Sequence, residues 1–298
     1  MGYLLHIAVM ANIYILLVLA ANLPVGMTGL LSLCQAAFYG IGAYTSAFLL
    51  MRLQLPFPLV AAAVMLAAAA VSLLVSYASI KLKGDYFVLA SLGFQMMVFT
   101  ILYNWVGVTR GPYGISGIPC VQLFGWGAGR LSGVSAHFAF SAALAAAAAA
   151  LFVRLKRSPF GRLASAVRDD ETALAALGRD PDRVKTQAFF LSAAFSALAG
   201  LLYASYIGYI DPSSFTLDES IFILSALFIG GTGNVSGPAA GALFVVILPE
   251  VLRFIGLPDA AAANLRQIIY GLALVLCMFF RPQGLLGETP PAKWGVAS

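Results

Sequence analysis

The sequence predicts an all-α polytopic membrane protein with about 8–10 transmembrane helices, and three observations lead to this prediction. Hydrophobic residues make up 61% of the chain and charged residues 10%, whereas a soluble domain carries about 25% charged residues to face water. The apolar residues form runs long enough for helices of about 20 residues, the length that crosses a hydrocarbon layer. These runs also lack the apolar–polar alternation of membrane β-barrel strands, so helices are the spanning elements that we expect.

Nine apolar segments provide these helices. We expect each segment to be helical, because inside lipid only intrahelical hydrogen bonds can satisfy the backbone polar groups of a continuous apolar run. We expect the whole chain, 1–298, to form one transmembrane domain, with a charged cytoplasmic segment at 154–185 and a cytoplasmic tail at 282–298. In chain order the apolar segments lie at 3–22, 26–50, 57–80, 86–105, 133–153, 186–207, 219–233, 238–255 and 264–280.

Lysine and arginine are unevenly distributed along the chain, and their distribution predicts its orientation. Eight of the 17 basic residues lie between Arg154 and Lys185, and Lys81 and Lys83 mark a second short loop. The positive-inside rule assigns both loops to the cytoplasm. Counting apolar segments onward places the tail in the cytoplasm as well. The loop 106–132 and the acidic stretch GYIDPSSFTLDE are then predicted to lie outside.

The charged segment carries signals for two short helices. Ser158-Pro159 is a helix start, because serine can accept a backbone hydrogen bond at the N-cap and proline suits the first helical position. Asp170 or Glu171 is the candidate start of a second helix. Gly178 is a suitable end for it, because glycine readily adopts the left-handed conformation that follows a helix.

An apolar stripe runs along these two predicted helices. Leu163, Val167, Leu174 and Leu177 recur at helical spacing, with charged residues elsewhere on the helical wheel. A helix pair that displays such a stripe needs a surface to cover it. Two interpretations are open: a partner protein binds the stripe, or the helices lie on the lipid surface.

Four stretches carry a family resemblance, and they follow one another over nearly the whole chain, from Asn22 to Gly287. DDETALAALG, inside the charged segment, resembles the EAA-type coupling motif of ABC-transporter permeases, an acidic residue followed by alanines and a glycine. The other stretches are similar to LivM-type permeases of branched-chain amino-acid importers, and the closing FRPQGLLG fits the same family. They are NLPVGMTGLLSLCQAAFYGIGAYTSAFLL (22–50), LKGDYFVLASLGF with GVTRGPYGISGIP (82–119), and GGTGNVSGPAAGALFVVILPE (230–250).

This resemblance implies a permease subunit of an ATP-driven importer in the inner membrane of a bacterial cell, with branched-chain amino acids as the substrate. It also implies a second, related permease, two cytoplasmic ATPases and an external solute-binding protein as partners within the lipid bilayer and at its faces. The sequence contains no GxxxxGK[ST] phosphate loop, the motif that cradles ATP phosphates. We therefore expect a transport subunit rather than an enzyme, with ATP and Mg²⁺ used by the ATPases. No cofactor, metal or nucleic acid is expected on this chain.

The family's coupling motif docks into a groove of the ATPase, so the resemblance implies a docking role for the matching positions. The small residues would permit close approach, and the glycine would let the chain turn away from the contact. Leu174 stands where the family commonly has a second alanine, which alters the fit. The predicted coupling residues are Arg168, Asp170, Glu171, Ala173, Leu177 and Gly178.

Glycine-rich breaks in the apolar runs are the candidate substrate path, because broken helices expose backbone ends that can meet the charged groups of a zwitterion. Two alternatives stay open. GGTGNVSGP (230–238) would also suit a tight turn between helices, and the glycines of the second apolar segment would also suit close helix packing. The predicted path residues are Gly40, Gly42, Gly230, Gly231, Gly233, Asn234 and Gly237.

Three other functions are weighed against this one. A urea or short-chain amide permease is the nearest, since related permeases share these motifs. An ion-coupled secondary transporter is disfavoured, because no charged residue is recognisable in the middle of an apolar segment, where such carriers keep functional ionisable groups. A membrane enzyme would need clustered His, Asp or Glu near one membrane face, and the sequence shows no such cluster.

Overall fold

The computed structural model describes residues 2–53, 55–79, 82, 84–120 and 133–254 of the chain. It also describes residues 265, 268, 269, 271, 272, 274–276, 279 and 284–286. Helices make up most of these residues, and the sheet found among them has two strands of two residues each. The predicted all-α fold class is confirmed.

Helices follow one another closely along the described chain. They are α1 (Gly2–Asn22), continued by a π-helical turn (Leu23–Met27), α2 (Gln35–Arg52), α3 (Phe57–Ser79), α4 (Asp85–Asn104), α5 (Val106–Thr109), α6 (Val134–Arg157), α7 (Pro159–Asp169), α8 (Glu171–Ala176), α9 (Pro181–Ile207), α10 (Leu217–Gly230) and α11 (Ser236–Phe254). Two 3₁₀ turns lie at Gly111–Tyr113 and Pro212–Phe215, and the antiparallel strands are β1 (Ile115–Ser116) and β2 (Tyr209–Ile210).

Five of the described helices are long and apolar enough to cross a membrane, and α2, α10 and α11 form shorter or less apolar helices beside them. Each of the first eight predicted apolar segments overlaps one of these eight helices. The ninth, 264–280, is described only in part, and its described residues are helical. The five spans are Gly2–Met27, Phe57–Tyr77, Asp85–Asn104, Val134–Arg157 and Pro181–Ile207. The chain is thus a multi-pass helical membrane protein.

The second apolar segment differs from its prediction, because the helix expected over 26–50 begins only at Gln35. α1 runs on through the π-helical turn instead. Several groups close that turn by donating to the Pro24 carbonyl, among them the Thr28 hydroxyl at 2.7 Å and the Leu30 N–H at 3.0 Å. Gly29 then adopts a φ of +71°, a left-handed conformation that glycine reaches without the steric cost of a Cβ. A helix cannot continue through that residue.

α9 lies at the centre of the bundle and packs against α1, α2 and α3. Glycines let the backbones of α2 and α9 approach closely, which is how membrane helices pack without a hydrophobic driving force. A Cβ on Gly200 would lie 2.2 Å from the Tyr39 carbonyl oxygen, and one on Gly42 would lie 2.3 Å from the Ala197 carbonyl oxygen. The α2–α9 contact therefore has no room for a side chain at either glycine.

The bundle has two chemically different ends. At the end that we call the charged end, α7 and α8 lie beside the π-helical turn and the start of α9. At the opposite end, which α9 reaches after about 40 Å, β1 pairs with β2 and the Gly117 N–H donates to the Gly208 carbonyl at 3.0 Å. The described parts of the two stretches predicted to lie outside therefore meet at one end, away from the charged segment.

We expect Gly200→Ala to destabilise the bundle, since overpacking a tight contact costs roughly 1–3 kcal/mol and here the new methyl would meet backbone. The matched control is Gly93→Ala in α4, where a Cβ meets no atom within 4 Å and removal of a helical glycine stabilises by about 0.5–1 kcal/mol. Thermal unfolding in detergent compares the two variants. Equal melting temperatures would contradict the close α2–α9 contact.

Candidate functional site

The first helix of the charged segment begins as predicted. The Ser158 hydroxyl accepts a hydrogen bond from the Gly161 N–H at 3.4 Å, and Pro159 occupies the first helical position. This capping satisfies one of the N–H groups that a helix start leaves without an intrahelical partner. The dipeptide Ser158-Pro159 was enough to locate the start of α7, because the contacts involved are local.

The second helix of the charged segment starts at Asp170, one of the predicted coupling residues. Its carboxylate accepts hydrogen bonds from the N–H groups of Thr172 and Ala173, at 2.9 and 3.0 Å, and from the Thr172 hydroxyl at 2.6 Å. The Thr172 hydroxyl and these two N–H groups favour the ionised carboxylate and lower the pKa of Asp170. Asp170 therefore holds the start of α8 and the kink between α7 and α8.

Gly178 ends α8, as predicted. Its φ is +75°, its N–H donates to the Ala175 carbonyl at 3.0 Å, and the Arg179 N–H donates to the Leu174 carbonyl at 3.3 Å. This pair of hydrogen bonds is the Schellman arrangement, which requires a left-handed residue at the glycine position. The chain can therefore turn from α8 into α9 within a few residues.

The predicted apolar stripe is mostly covered by the chain itself. Val167 and Leu174 belong to a buried cluster with residues of α1, α6 and α9, and Leu163 is half-buried against it. The expectation that these three residues await a partner or a lipid surface is wrong, because the starts and ends of three long helices already lie beneath them. Leu177, by contrast, is 80% exposed.

The exposed face of α8 is small and apolar. Ala173, Ala175, Ala176, Leu177 and Gly178 are all exposed there. Four of these residues carry one methyl group or no side chain, so another protein could approach the α8 backbone closely. We call this face the α8 tip. It contains three of the six predicted coupling residues, Ala173, Leu177 and Gly178.

Glu171 does not extend from the α8 tip but pairs with Lys185 of α9. The Lys185 ammonium lies 2.7 Å from the Glu171 carboxylate, and the two side chains are 8% and 35% exposed. A nearly buried ammonium needs such a partner, because removing an ion from water without one is costly. The pair attaches α8 to the first turns of α9. The sequence analysis missed Lys185, which it took as a loop residue.

Arg168 also points towards its own chain. Its guanidinium donates a hydrogen bond to the Gly26 carbonyl in the π-helical turn at 2.9 Å, and its Nε lies 3.5 Å from the neighbouring Asp169 carboxylate. Of the six predicted coupling residues, three are therefore engaged in holding the charged segment in place, and three lie on the α8 tip. Docking itself stays a prediction for all six.

The structure brings five of the seven predicted path residues together in the turn between α10 and α11. A Cβ on Gly230 would lie 2.0 Å from the Gly237 carbonyl, and Gly231 and Gly233 have φ values of +106° and +90°. The Asn234 side chain accepts a hydrogen bond from the Gly237 N–H at 2.9 Å. These residues form a tight turn at the charged end, the alternative that the sequence left open.

The other two predicted path residues, Gly40 and Gly42, lie on α2. A Cβ on Gly40 would lie 3.0 Å from the Phe215 ring, and Gly42 packs against α9 as described above. The contacts of both glycines are those of close helix packing. A role for any of the seven residues in the substrate path stays a prediction.

One carboxylate lies in the middle of the bundle, where the sequence analysis recognised no charge. Glu219, in the first turn of α10, accepts a hydrogen bond from the Tyr14 hydroxyl at 2.7 Å, and Tyr14 is at the centre of the span Gly2–Met27. The sequence placed Glu219 in an outside loop, because it does not show that the chain re-enters the bundle after β2. The earlier reason for disfavouring an ion-coupled carrier therefore does not hold.

The start of α2 lies in the same region and is capped by side chains of other helices. The Ala36 N–H donates to the Ser220 hydroxyl at 2.9 Å, and the Ala37 N–H donates to the Gln95 side-chain oxygen at 2.7 Å. Gln95 in turn donates to the Phe215 carbonyl at 2.9 Å. Within an apolar bundle these contacts satisfy N–H groups that would otherwise be unpaired. The capping residues were not singled out from the sequence.

The fold and the charged end together define a class of protein. The described residues form a multi-pass helical membrane protein whose candidate site is an exposed small-residue surface at one charged end. No group of three or more His, Cys, Asp or Glu is placed to hold a metal ion in the described part of the chain. Such a surface suits contact with another protein, and the bundle suits a membrane-embedded transport subunit.

Comparison with known proteins assigns the family. Residues 3–278 match the family described as "Branched-chain amino acid transport system / permease component", and the chain belongs to this family. LivM of Salmonella typhimurium is 37% identical over 96% of this chain and 70% of its own length. A probable LivM of Methanocaldococcus jannaschii is 31% identical over 72% of this chain and 65% of its own length. LivH of Escherichia coli is 27% identical over 95% of this chain and 94% of its own length. No solved structure matches.

We expect Glu171→Leu to destabilise the charged segment more than Lys185→Met does, because the first change leaves an ammonium nearly buried and unpaired. The penalty is about 1–3 kcal/mol after allowance for the partial exposure of Glu171. The double variant Glu171→Leu/Lys185→Met should recover most of the loss. Hydrogen exchange of the α8 and early α9 amides, together with thermal unfolding, measures the effect.

The matched control is Arg183→Met, which breaks the exposed pair of Arg183 with Asp180, where the side chains are 83% and 49% exposed. Exposed pairs contribute about 0–1 kcal/mol. An effect of Glu171→Leu no larger than that of this control would show that the Glu171–Lys185 pair does not hold α8.

Proposed function

We propose that this chain is the transmembrane permease subunit of an ATP-driven importer for the branched-chain amino acids leucine, isoleucine and valine. The observation that carries the proposal is the 37% identity with LivM over 96% of the chain. The α8 tip supports it, because an importer subunit without a phosphate loop needs a surface through which another protein supplies energy.

The proposal includes four partners in the assembled importer. A second, related permease is supported by the similarity of this chain to LivH, which belongs to the same kind of transport system by name. Two cytoplasmic ATPases would bind and hydrolyse ATP with Mg²⁺, and an external solute-binding protein would deliver the amino acid. This chain itself would bind no cofactor. The protein would lie in the bacterial inner membrane with the charged end and the C-terminal tail in the cytoplasm.

The α8 tip is the proposed contact with one ATPase. Ala173 and Gly178 allow close approach of the two backbones, and Leu177 offers an apolar side chain that is 80% exposed. Burying such a side chain contributes roughly 1.5–3 kcal/mol. Asp170 and Glu171 would hold α8 in position for this contact, through the cap of α8 and the pair with Lys185. Arg168 holds the preceding helix in the same way.

The proposed substrate is tested by uptake into proteoliposomes that contain this chain, the second permease and both ATPases. With a matching external binding protein and internal ATP, labelled leucine, isoleucine or valine should accumulate. A complex whose ATPase phosphate-loop lysine is replaced is the control, and it should transport nothing. Accumulation of urea or acetamide in place of the amino acids would reassign the substrate, and uptake driven by an ion gradient without ATP would refute the ATP-driven mechanism.

We expect Gly178→Leu to weaken co-purification of the ATPases or to reduce amino-acid uptake per ATP hydrolysed. Leucine at a φ of +75° is strained by roughly 1–2 kcal/mol, so the Schellman turn and the shape of the α8 tip would change. A Cβ at this position meets no atom within 4 Å, so the effect arises from the backbone and not from crowding.

Gly178→Asn is the matched control, because asparagine tolerates the left-handed conformation. It should co-purify with the ATPases nearly as well as the unaltered subunit. Normal assembly and normal uptake per ATP in the leucine variant would rule out a coupling role for Gly178.

A further inference from the structure

Arg168 connects the charged segment to the broken end of α1. Its guanidinium donates to the Gly26 carbonyl at 2.9 Å, and its side-chain stem lies against Gly29, where a Cβ would be 3.2 Å from the Arg168 Cγ. A hydrogen bond from a charged donor is shorter and stronger than one between neutral groups. The π-helical turn that carries Gly26 is a kind of break often found at functional sites.

Asn22 connects the same broken end of α1 to the turn between α10 and α11. It is fully buried, its side-chain oxygen accepts from the Gly233 N–H at 3.0 Å, and its side-chain nitrogen donates to the Asn234 carbonyl at 2.7 Å. The contact is close, since a Cβ on Gly26 would lie 2.9 Å from the Gly233 nitrogen. Both polar groups of the Asn22 amide are thus used on one turn.

The α10–α11 turn is also attached to the chain beyond α11. The Leu285 N–H donates to the Ile229 carbonyl and the Leu286 N–H donates to the Gly230 carbonyl, both at 2.9 Å. Asn234 donates to the Leu286 carbonyl. The turn therefore gathers α10, α11 and residues 284–286 into one hydrogen-bonded unit, which would move as a whole.

Neither α10 nor α11 is joined directly to the charged segment. α7 continues into α6, and α8 into α9, so a displacement of the α8 tip reaches those two helices through the covalent chain. At the charged end, α10 and α11 are reached from the charged segment through non-covalent contacts. Among the described residues these include the polar contacts of Arg168 and Asn22 and an apolar contact of Val235 with the buried cluster that contains Val167.

We propose that Arg168, the Gly26 carbonyl and Asn22 form a mechanical link that transmits movement of the charged segment to the α10–α11 turn. The inference rests on the proposed function, since the movement would come from the ATPases. Arg168 is then a positioning residue, whose guanidinium is engaged by the Gly26 carbonyl of its own chain. Transmission along these contacts is measured as a coupling between the state of the ATPases and the position of the α10–α11 turn.

The test places a bimane fluorophore on Ser236→Cys, at the exposed start of α11, after Cys34, Cys120 and Cys277 are replaced by serine. The labelled subunit is assembled with the second permease and both ATPases, and the emission is compared without nucleotide and with ATP trapped on hydrolysis-deficient ATPases. This readout needs no substrate. The test variants are Arg168→Met and Arg168→Gln, whose side chains cannot donate to Gly26 in the same geometry.

Arg162→Met is the matched control, because Arg162 is an exposed arginine of the same helix and makes no side-chain hydrogen bond or ion pair among the described residues. We expect the unaltered subunit and the Arg162→Met subunit to show the same ATP-dependent emission change. In the two Arg168 variants the change should fall about tenfold per assembled complex, within the range typical of coupling between protein sites. Amino-acid uptake per ATP should fall with it.

The outcomes separate the link from the proposed function. An undiminished emission change in either assembled Arg168 variant would overturn the link and leave the proposed function intact, and so would a loss of assembly with uptake per ATP unchanged in the complexes that do form. An unaltered complex that shows no response to trapped ATP would overturn the link, and it would overturn the proposed function as well only if the same complex accumulated no amino acid with ATP. The double variant Asn22→Leu/Arg168→Met should lose no more of the ATP-dependent emission change than the more severe single variant does, because either change alone already interrupts the same link.

Discussion

The close contact between α2 and α9 is the constraint on which the rest of the structure depends. Gly42 and Gly200 bring the two backbones together. In this central position, 78% of the apolar stretch of α9 is buried inside the bundle. With α9 in the centre, its first turns carry Lys185 under the charged segment and its last turn carries β2 to the opposite end. Small residues take this role because lipid competes with protein for apolar surface, so helix association depends on packing.

Polar groups inside the bundle are the second determinant, because an apolar surrounding leaves them no water as an alternative partner. Three chain breaks, at the end of α1, the start of α2 and the α10–α11 turn, are each satisfied by side chains from other helices. Asn22 and Gln95 are buried and serve more than one backbone group. The breaks are therefore held by few contacts, and each of these contacts is costly to lose unless another partner replaces it.

Local sequence signals predicted where the helices of the charged segment begin and end. They did not predict which other parts of the chain pack against these helices. Ser158-Pro159, Asp170 and Gly178 act through hydrogen bonds to residues within a few positions, so their roles can be read from the sequence. The residues that cover Val167 and Leu174 cannot be read from the sequence, because an amphipathic pattern indicates that one helix face is covered but not which surface covers it. The pairing of Glu171 with Lys185 and of Arg168 with Gly26 likewise depends on helices distant in the chain.

Composition, apolar runs and short motifs determined by themselves the helical membrane class, the approximate position of eight helices and the family resemblance. Each of these follows from the solvent that a residue must face or from contacts between near neighbours. Only the tertiary structure decided that Glu219 lies beside Tyr14 at mid-span, that the predicted path glycines 230–237 form a tight turn, and that Asn22 binds that turn. These outcomes depend on which helices become neighbours, and a hydropathy pattern contains no information about that choice, because every apolar face is compatible with every other.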